Sequence, residues 1–256
     1  MNRYRYLAAA AAASLLLTGC EKNAVQDIAG PLPASMVRFF NFGVNAPSVN
    51  FYANDTKMTA ITSATGTEST NGIAYGSVGA GGNYSGIEPG QYTLSGKISA
   101  TTDKDLAISD LGATIATGKS YSYYLSGFYN TATKKVDSFI VEDNIPTADY
   151  AVAYVRFVNA ISNSSPMTLS VTSTTTSAVT PIGGNVAYKA GGEFTSIPAG
   201  VYNLATRVAG SSTNAISRTS VSFVGGRVYT ITARGDMTVT STTATNRPFL
   251  DNTANR

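Results

Sequence analysis

The amino-acid sequence predicts an all-β protein, with two tandem β-sandwich domains, immunoglobulin-like or related, behind an N-terminal signal segment. The first observation behind this prediction is an internal duplication: residues 81–94, GGNYSGIEPGQYTL, recur at 191–204 as GGEFTSIPAGVYNL. Each copy has the pattern of a strand end, a Pro/Gly turn and a new strand that opens on a tyrosine and a leucine, which is typical of a β-hairpin. A repeat of this kind indicates that one structural unit occurs twice.

The second observation is the composition. Only 13% of the 256 residues are charged, about half the usual fraction, while 43% are hydrophobic, enough to bury real cores. Ser, Thr, Gly and Tyr are abundant, and these residues favour strands and turns. Beyond the N-terminal segment the sequence shows no helical period, so the composition and the pattern both indicate strands.

The third observation is that the duplication extends over most of the chain. The displacement between equivalent residues falls from 118 (Arg38 to Arg156) to 108 (Gly118 to Gly226), as expected if loops lost residues while strands kept theirs. Both halves also close an apolar run on an Asp-Asn pair, at 143–144 and 251–252. These repeats predict one domain at 36–146 and a second at 147–256. We expect the two to fold independently, the rival being one interlocked barrel that mixes strands of both halves.

Alternating apolar and polar residues place the individual strands. Seven or eight strands per half, separated by turn signals, are typical of a β-sandwich. The predicted strands are 36–42, 49–52, 57–61, 84–87, 92–99, 106–115, 121–125 and 136–141, then 154–159, 167–171, 179–182, 194–197, 201–208, 216–223, 228–233 and 249–250.

The first strand is apolar on both faces. Val37 and Phe39 point to one side, while Phe40 and Phe42 point to the other side together with Arg38. This pattern predicts a strand that is covered on both sides or that lies at a domain contact.

Gly90 and Gly200 occupy equivalent turn positions after the prolines of the repeated hairpin. We expect both to adopt a positive φ, which other residues resist, so that valine at either position would destabilise its own half.

The N-terminal segment has the pattern of an export signal. A basic start and a short apolar run lead to Leu17-Thr18-Gly19-Cys20, which resembles the bacterial lipobox, in which cleavage precedes the cysteine and its thiol receives a lipid. This resemblance predicts a signal peptide at 1–19, an acylated tether at 20–35 and membrane lipid as a partner through Cys20. A multiply acylated cysteine would be a firm anchor. The alternative is an ordinary secretory signal with a chance cysteine.

Missing residue types exclude several kinds of chemistry. The chain has no His and no Trp, which removes the usual general base, most zinc sites and the strongest sugar-stacking platform. Cys20 is the only cysteine, so neither a disulfide framework nor a cysteine metal site is possible. Without Arg3 and Arg5 in the cleaved signal, 16 basic residues (18 − 2) face 15 acidic ones. We therefore expect no cofactor, no metal and no nucleic-acid partner.

Aromatic and arginine residues supply the candidate sites. Tyr124 lies on the face of its strand opposite Tyr121 and Tyr123, and with Phe128 and Tyr129 it could form a ligand patch. The alternative for these residues is an aromatic contact at a domain interface. For the equivalent arginines Arg38 and Arg156, we expect a structural ion pair rather than a ligand clamp.

Three acidic groups, at 103–105, 142–144 and 251–252, supply oxygen atoms that calcium accepts. Their spacing fits no calcium loop, so we interpret them as turns at strand ends.

Several motifs resemble the DUF4397 family of exported bacterial β-rich domains: VRFFN at 37–41, NAPSVNFY at 45–52, PGQY at 89–92 and GKSYSY at 118–123. The resemblance covers most of 36–144 and, more weakly, 152–252. Asn41 and Asn50 stand where the family often has His and Asp, so no metal or acid role is carried over. The resemblance implies the fold and export, and it implies no activity.

These observations together predict a non-enzymatic lipoprotein of the cell envelope, anchored at the outer membrane, with a binding or adhesive role. A glycan or an envelope protein is the expected partner, and the periplasmic or surface side stays open. One alternative is a structural accessory subunit of an envelope or surface-uptake complex. A glycan-acting hydrolase with Asp and Glu pairs is the other, and it is disfavoured because the duplicated acidic positions lie at strand ends.

Overall fold

The computed structural model describes residues 35–256, so the predicted signal peptide, Cys20 and nearly all of the tether lie outside the described residues. Among the residues that are described, no helix has the length and hydrophobicity needed to cross a bilayer.

The structure is all-β. The first half contains β1 (Ser35–Asn41), β2 (Val49–Ala53), β3 (Thr56–Lys57), β4 (Ser77–Val78), β5 (Ser85–Ile87), β6 (Gly90–Ile98), β7 (Ala107–Ile115), β8 (Ser120–Asn130) and β9 (Lys135–Glu142), with a 3-10 turn at Gly79–Gly82. The second contains β10 (Val152–Asn159), β11 (Met167–Ser173), β12 (Val179–Val186), β13 (Ala190–Gly191), β14 (Thr195–Pro198), β15 (Gly200–Val208), β16 (Ile216–Phe223), β17 (Val228–Arg234) and β18 (Phe249–Ala254).

Each half is a β-sandwich of two sheets with the same topology. In the first half one sheet has the order β4-β1-β8-β9, with β5 also paired to β1, and the other has the order β3-β2-β6-β7. The second half repeats this as β13-β10-β17-β18, with β14 on β10, and β12-β11-β15-β16. Every described sheet draws its strands from one half only, so the interlocked barrel is not the fold.

Strand register confirms the duplication residue by residue. Met36 on β1 pairs with Ser120 on the parallel strand β8, and Tyr154 pairs with Val228 in the same way. Tyr154 follows Met36 by 118 residues and Val228 follows Ser120 by 108, the displacements expected from the sequence (154 − 36 and 228 − 120).

The ends of the halves align differently from the sequence-based prediction. Tyr121 pairs with Glu142, and its equivalent Tyr229 pairs with Ala254. The structural counterpart of Asp143 is therefore Asn255, and the match of Asp143 to Asp251 is wrong. The last strand of each half carries too little local pattern to show this shift.

Each half has its own hydrophobic core between its two sheets. In the first core the rings of Phe39, Phe51 and Tyr123 lie 5.1–6.0 Å apart. In the second core the ring of Phe223 lies 5.7 Å from Tyr202 and 5.1 Å from Tyr229. Such aromatic contacts add to the free energy gained by burying apolar area.

A third apolar cluster joins the two halves. It lies between the outer faces of the β1 and β10 sheets and consists of Phe40, Phe42, Tyr124, Phe139, Val158 and Ala160. The prediction of a two-sided first strand is thus confirmed: Val37 and Phe39 enter the first core, and Phe40 and Phe42 enter the contact between halves. The described chain is a stack of four sheets, with the two central sheets covered on both faces.

The expectation of a positive φ at the turn glycines is confirmed for Gly90, whose φ is 158°, and is wrong for Gly200, which is absent from the residues with positive φ. A Cβ at Gly90 or Gly200 would lie 3.6 or 3.4 Å from the ring of the tyrosine two residues on. Each tyrosine folds back over its glycine and donates a hydrogen bond to the carbonyl of Glu88 or Pro198, at 2.9 and 2.8 Å. The tyrosine rings thus cover both turn glycines at distances that would still admit a Cβ in ordinary van der Waals contact.

Candidate functional site

The predicted aromatic patch is divided between the interior and the surface. Tyr124 is completely buried, and its ring stacks at 4.4 Å on Phe40 and at 4.8 Å on Phe139. Tyr129 packs against the first core, whereas Phe128 is 44% exposed. A ligand patch that includes Tyr124 is therefore wrong, because the second half covers that face. The alternative, an aromatic at a domain interface, describes Tyr124.

A buried polar network lies beside the aromatic cluster. Asp143 forms an ion pair with Arg156, and both side chains are almost fully buried. The Asp143 carboxylate also accepts hydrogen bonds from Ser122 at 2.7 Å and from Tyr84 at 2.6 Å. Burial, together with the Asp143 charge, raises the pKa of Tyr84, so this phenol stays protonated and remains a donor. The carboxylate is thus fully partnered.

The two equivalent arginines occupy related positions with different partners. Arg38 donates to the carbonyl of Ala254 at 2.7 Å, and Arg156 donates to the carbonyl of the equivalent residue Glu142 at 3.0 Å. Asn255 stands at the position equivalent to Asp143, and Arg38 has no ion pair among the described residues. The predicted structural ion pair is therefore present for Arg156 and wrong for Arg38. Neither is accessible enough to be a ligand clamp, because each is at most 2% exposed.

The acidic groups each meet cations of the chain. Asp103 pairs with Lys134 and Glu142 pairs with Lys119, both at 2.6 Å, and Asp251 pairs with Arg234. Within residues 35–256, no group of three or more Cys, Asp or Glu side chains is arranged to hold a metal ion.

The second half carries a cluster that the sequence did not reveal. The guanidinium carbons of Arg247, Arg234 and Arg218 lie 5.1, 5.2 and 5.3 Å from the ring centre of Phe249. These separations are in the range of cation–π attraction. We call the cleft beside these four residues the arginine groove.

The arginine groove runs along the end of the second sandwich and has a volume of about 540 Å³. Its floor and walls combine hydroxyl groups with apolar and aromatic atoms. The lining residues are Ala215, Ile216, Ser217, Met237, Val239, Thr240, Ser241, Thr242, Arg247, Pro248 and Phe249. Most of them belong to the connection between β17 and β18.

Charge in the groove is unbalanced. Arg234 pairs with Asp251, whereas Arg218 and Arg247 donate only to the carbonyls of Leu250 and Ala244, at 2.6 and 3.0 Å. The nearby carboxylate of Asp236 accepts from other groups, the Asn163 amide at 2.8 Å and the Thr238 hydroxyl at 2.7 Å. Two of the three guanidinium groups thus have no carboxylate partner within the described chain.

The first half holds Arg234 in place. Its guanidinium carbon lies 5.1 Å from the ring centre of Tyr75 and 5.5 Å from that of Phe42. Gly76 makes this approach possible, because a Cβ there would lie 3.1 Å from the guanidinium and its φ is +78°. Burial lowers the pKa of Arg234, but the charge of Asp251 and the hydrogen bond to its carboxylate raise it more, so the group stays charged.

The equivalent cleft of the first half, about 410 Å³ in volume, lacks this arginine cluster. By strand register Arg234 corresponds to Ser126, and Phe249 corresponds to Asp137. Arg218, opposite Leu204, corresponds to a leucine, Leu111. The only available signal in the sequence was this loss of repeat symmetry, combined with the longer connection at 235–248.

Comparison with known families confirms the resemblance noted from the motifs. A family model described as "Domain of unknown function (DUF4397)" matches the chain twice, over residues 35–165 and 153–256. The two matches together cover both sandwiches and overlap on β10. No curated protein is significantly similar to the chain.

Proposed function

The chain belongs to the DUF4397 family, and we propose that it is a non-enzymatic binding protein, anchored to the outer membrane of the cell envelope through Cys20, with the arginine groove as its binding surface. The family description assigns no function, so the proposal depends on the chain's own features. The observation that carries it is an open cleft lined by Phe249 and by Arg247, whose guanidinium has no carboxylate partner, with the similarly unpaired Arg218 beside the same ring. Concave surfaces with a few convergent polar groups are typical of binding sites.

The position of the groove supports this role. Arg234 ends β17, which runs parallel to β10, and it contacts Phe42, just beyond the last residue of β1. The groove therefore lies at the opposite end of the sheets from Ser35, where β1 begins. If the tether leads from a membrane surface to Ser35, the groove faces away from that surface. An anchored protein with this orientation would present the groove to ligands outside.

A glycan array tests the binding role. We expect residues 33–256 to bind a subset of the array, and the variant with both Arg218→Ala and Arg247→Ala to lose that binding. Arg227→Ala is the matched control, because Arg227 is an exposed arginine before the first residue of β17, at the far end of the same strand. Binding that survives the double substitution would place the ligand elsewhere, and a chain that binds nothing would favour a structural accessory role.

The anchor makes a separate prediction. Cys20→Ser removes the thiol that accepts the lipid, so we expect the variant to accumulate as unprocessed precursor or to leave the membrane fraction. Metabolic labelling with a fatty-acid analogue, followed by membrane fractionation, measures both outcomes. Label that persists on the serine variant would contradict the lipoprotein proposal.

A further inference from the structure

We infer that the arginine groove binds an acidic polysaccharide, a sugar chain that bears carboxylate or sulfate groups. This inference rests on the proposed function and adds the chemical class of the ligand. It follows from the charge of the groove, from the shape of its donors and from its lining, which are considered in turn.

Charge selects an anionic ligand. Three guanidinium groups surround Phe249, and one carboxylate, Asp251, is paired with one of them. The second carboxylate in the vicinity, Asp236, is turned to Asn163 and Thr238. A ligand that brings one or two negative charges to Arg218 and Arg247 would balance the groove.

The geometry of the donors favours carboxylate and sulfate groups. Each guanidinium has five N–H groups in a fixed fork, and such a fork binds carboxylate and sulfate through paired hydrogen bonds. Arg218 and Arg247 each use one terminal nitrogen for a backbone carbonyl, at 2.6 and 3.0 Å. These carbonyl bonds orient both guanidinium groups. Arg247 lines the groove and has further N–H groups for a ligand, while Arg218 adds its charge from beside the Phe249 ring.

The lining of the groove selects a sugar chain. Ser217, Thr240, Ser241 and Thr242 supply hydroxyl groups that can exchange hydrogen bonds with sugar hydroxyls, while Met237 offers an apolar surface. A cleft of about 540 Å³ that is open to solvent accommodates part of a polymer rather than enclosing a small molecule. A nucleic acid is less well matched, since single-stranded bases stack on free aromatic faces and three guanidinium groups already crowd Phe249.

Titration with defined polymers tests the inference. The probes are polygalacturonate and dextran sulfate, with neutral dextran and single-stranded DNA for comparison, and the protein is the full-length chain purified in detergent. We expect both acidic polysaccharides to bind, with affinity that falls as salt rises because the contacts are ionic. Arg247→Ala should weaken binding about tenfold or more, as the loss of a charge-assisted hydrogen bond does. Arg218→Ala removes a neighbouring charge and should weaken binding less.

Two further variants separate specific contacts from general attraction. Arg227→Ala removes the same charge at the opposite end of β17 and should change affinity by less than about threefold. Arg247→Lys keeps the charge without the fork and should recover only part of the affinity. Thermal unfolding of every variant verifies that the fold is retained, and Arg218→Gln and Arg247→Gln replace either alanine variant that fails to fold.

Each contrary result has a separate meaning. If neutral dextran binds as tightly as dextran sulfate, and the groove variants lose that binding, the inference is overturned while the proposed binding function remains intact. DNA that binds as tightly as the acidic polysaccharides would overturn the sugar class. Equal losses for Arg227→Ala and Arg247→Ala would show general charge attraction and overturn the inference. Absence of binding to any polymer would overturn it too, and a glycan array without binders would then count against the proposed function.

Discussion

Replacing Asp143 by alanine is expected to lower the free energy of unfolding by about 3–5 kcal/mol, because the substitution leaves a buried guanidinium without its counter-ion. Arg156 is 2% exposed and cannot turn to water without opening the contact between the halves. The substitution also removes the acceptor for Ser122 and Tyr84. Denaturant unfolding, monitored by tyrosine fluorescence and circular dichroism, measures the change.

Glu142→Ala is the matched control for this prediction. Glu142 precedes Asp143, and its ion pair with Lys119 is exposed, so its loss should cost no more than about 1 kcal/mol. Asp143→Asn should lie between the two, since it keeps most of the shape of the side chain and reproduces the asparagine found at the equivalent position 255. Equal effects of Asp143→Ala and Glu142→Ala would show that the buried pair contributes no more than a surface pair.

Separating the halves is expected to affect them unequally. Each half has a complete core, so the fragments 36–146 and 148–256 should both acquire β structure. The buried aromatic residues of the contact, however, belong to the first half, while the second contributes Val158 and Ala160, with Tyr188 at the edge of the contact. Each exposed aromatic side chain forfeits about 1.5–3 kcal/mol of burial. We therefore expect 148–256 to be a soluble monomer and 36–146 to self-associate.

Mixing the two fragments should restore a one-to-one complex that unfolds with the stability of the intact chain. Size-exclusion chromatography with light scattering and thermal melts of each species give the result. A monomeric first fragment that is as stable alone as in the whole chain would contradict the interpretation that the contact stabilises it. Fragments that stay unfolded until mixed would show that neither core is sufficient.

The sequence was informative where one pattern repeats along a strand. Alternation in β1 indicated its two apolar faces, and the repeated hairpin indicated the duplication, because strand residues point to alternate sides with a period of two. Strands β4 and β13 have two residues each, too few for a period, and they were missed. The predicted strand at 57–61 is confined to Thr56–Lys57, since the rest of that stretch forms irregular connections.

Sites formed by distant residues were less accessible. Alternation showed which face Tyr124 is on, but it could not show that the other half covers that face. The arginine groove joins β16, β18 and the connection between β17 and β18, and Arg234 beside it packs against Tyr75 and Gly76 of the other half. Nothing in the local sequence around Arg218 or Arg247 distinguishes either from a solvated surface arginine, because only the tertiary fold brings them to one ring.

The nine-residue connection between β9 and β10 lowers the affinity that the contact between the halves must supply. A short connection holds two partners at an effective concentration of about millimolar, so that reassociation needs only weak intrinsic affinity. A pair of free identical domains would require the same residues on both sides of a symmetric contact. Tethered halves are released from that requirement, so Asn255 can replace a second Asp143, and Phe194 can stand where Tyr84 stands in the first half. Covalent linkage therefore gave each copy the freedom to diverge at a shared interface, and only one of them acquired three arginines at its far end.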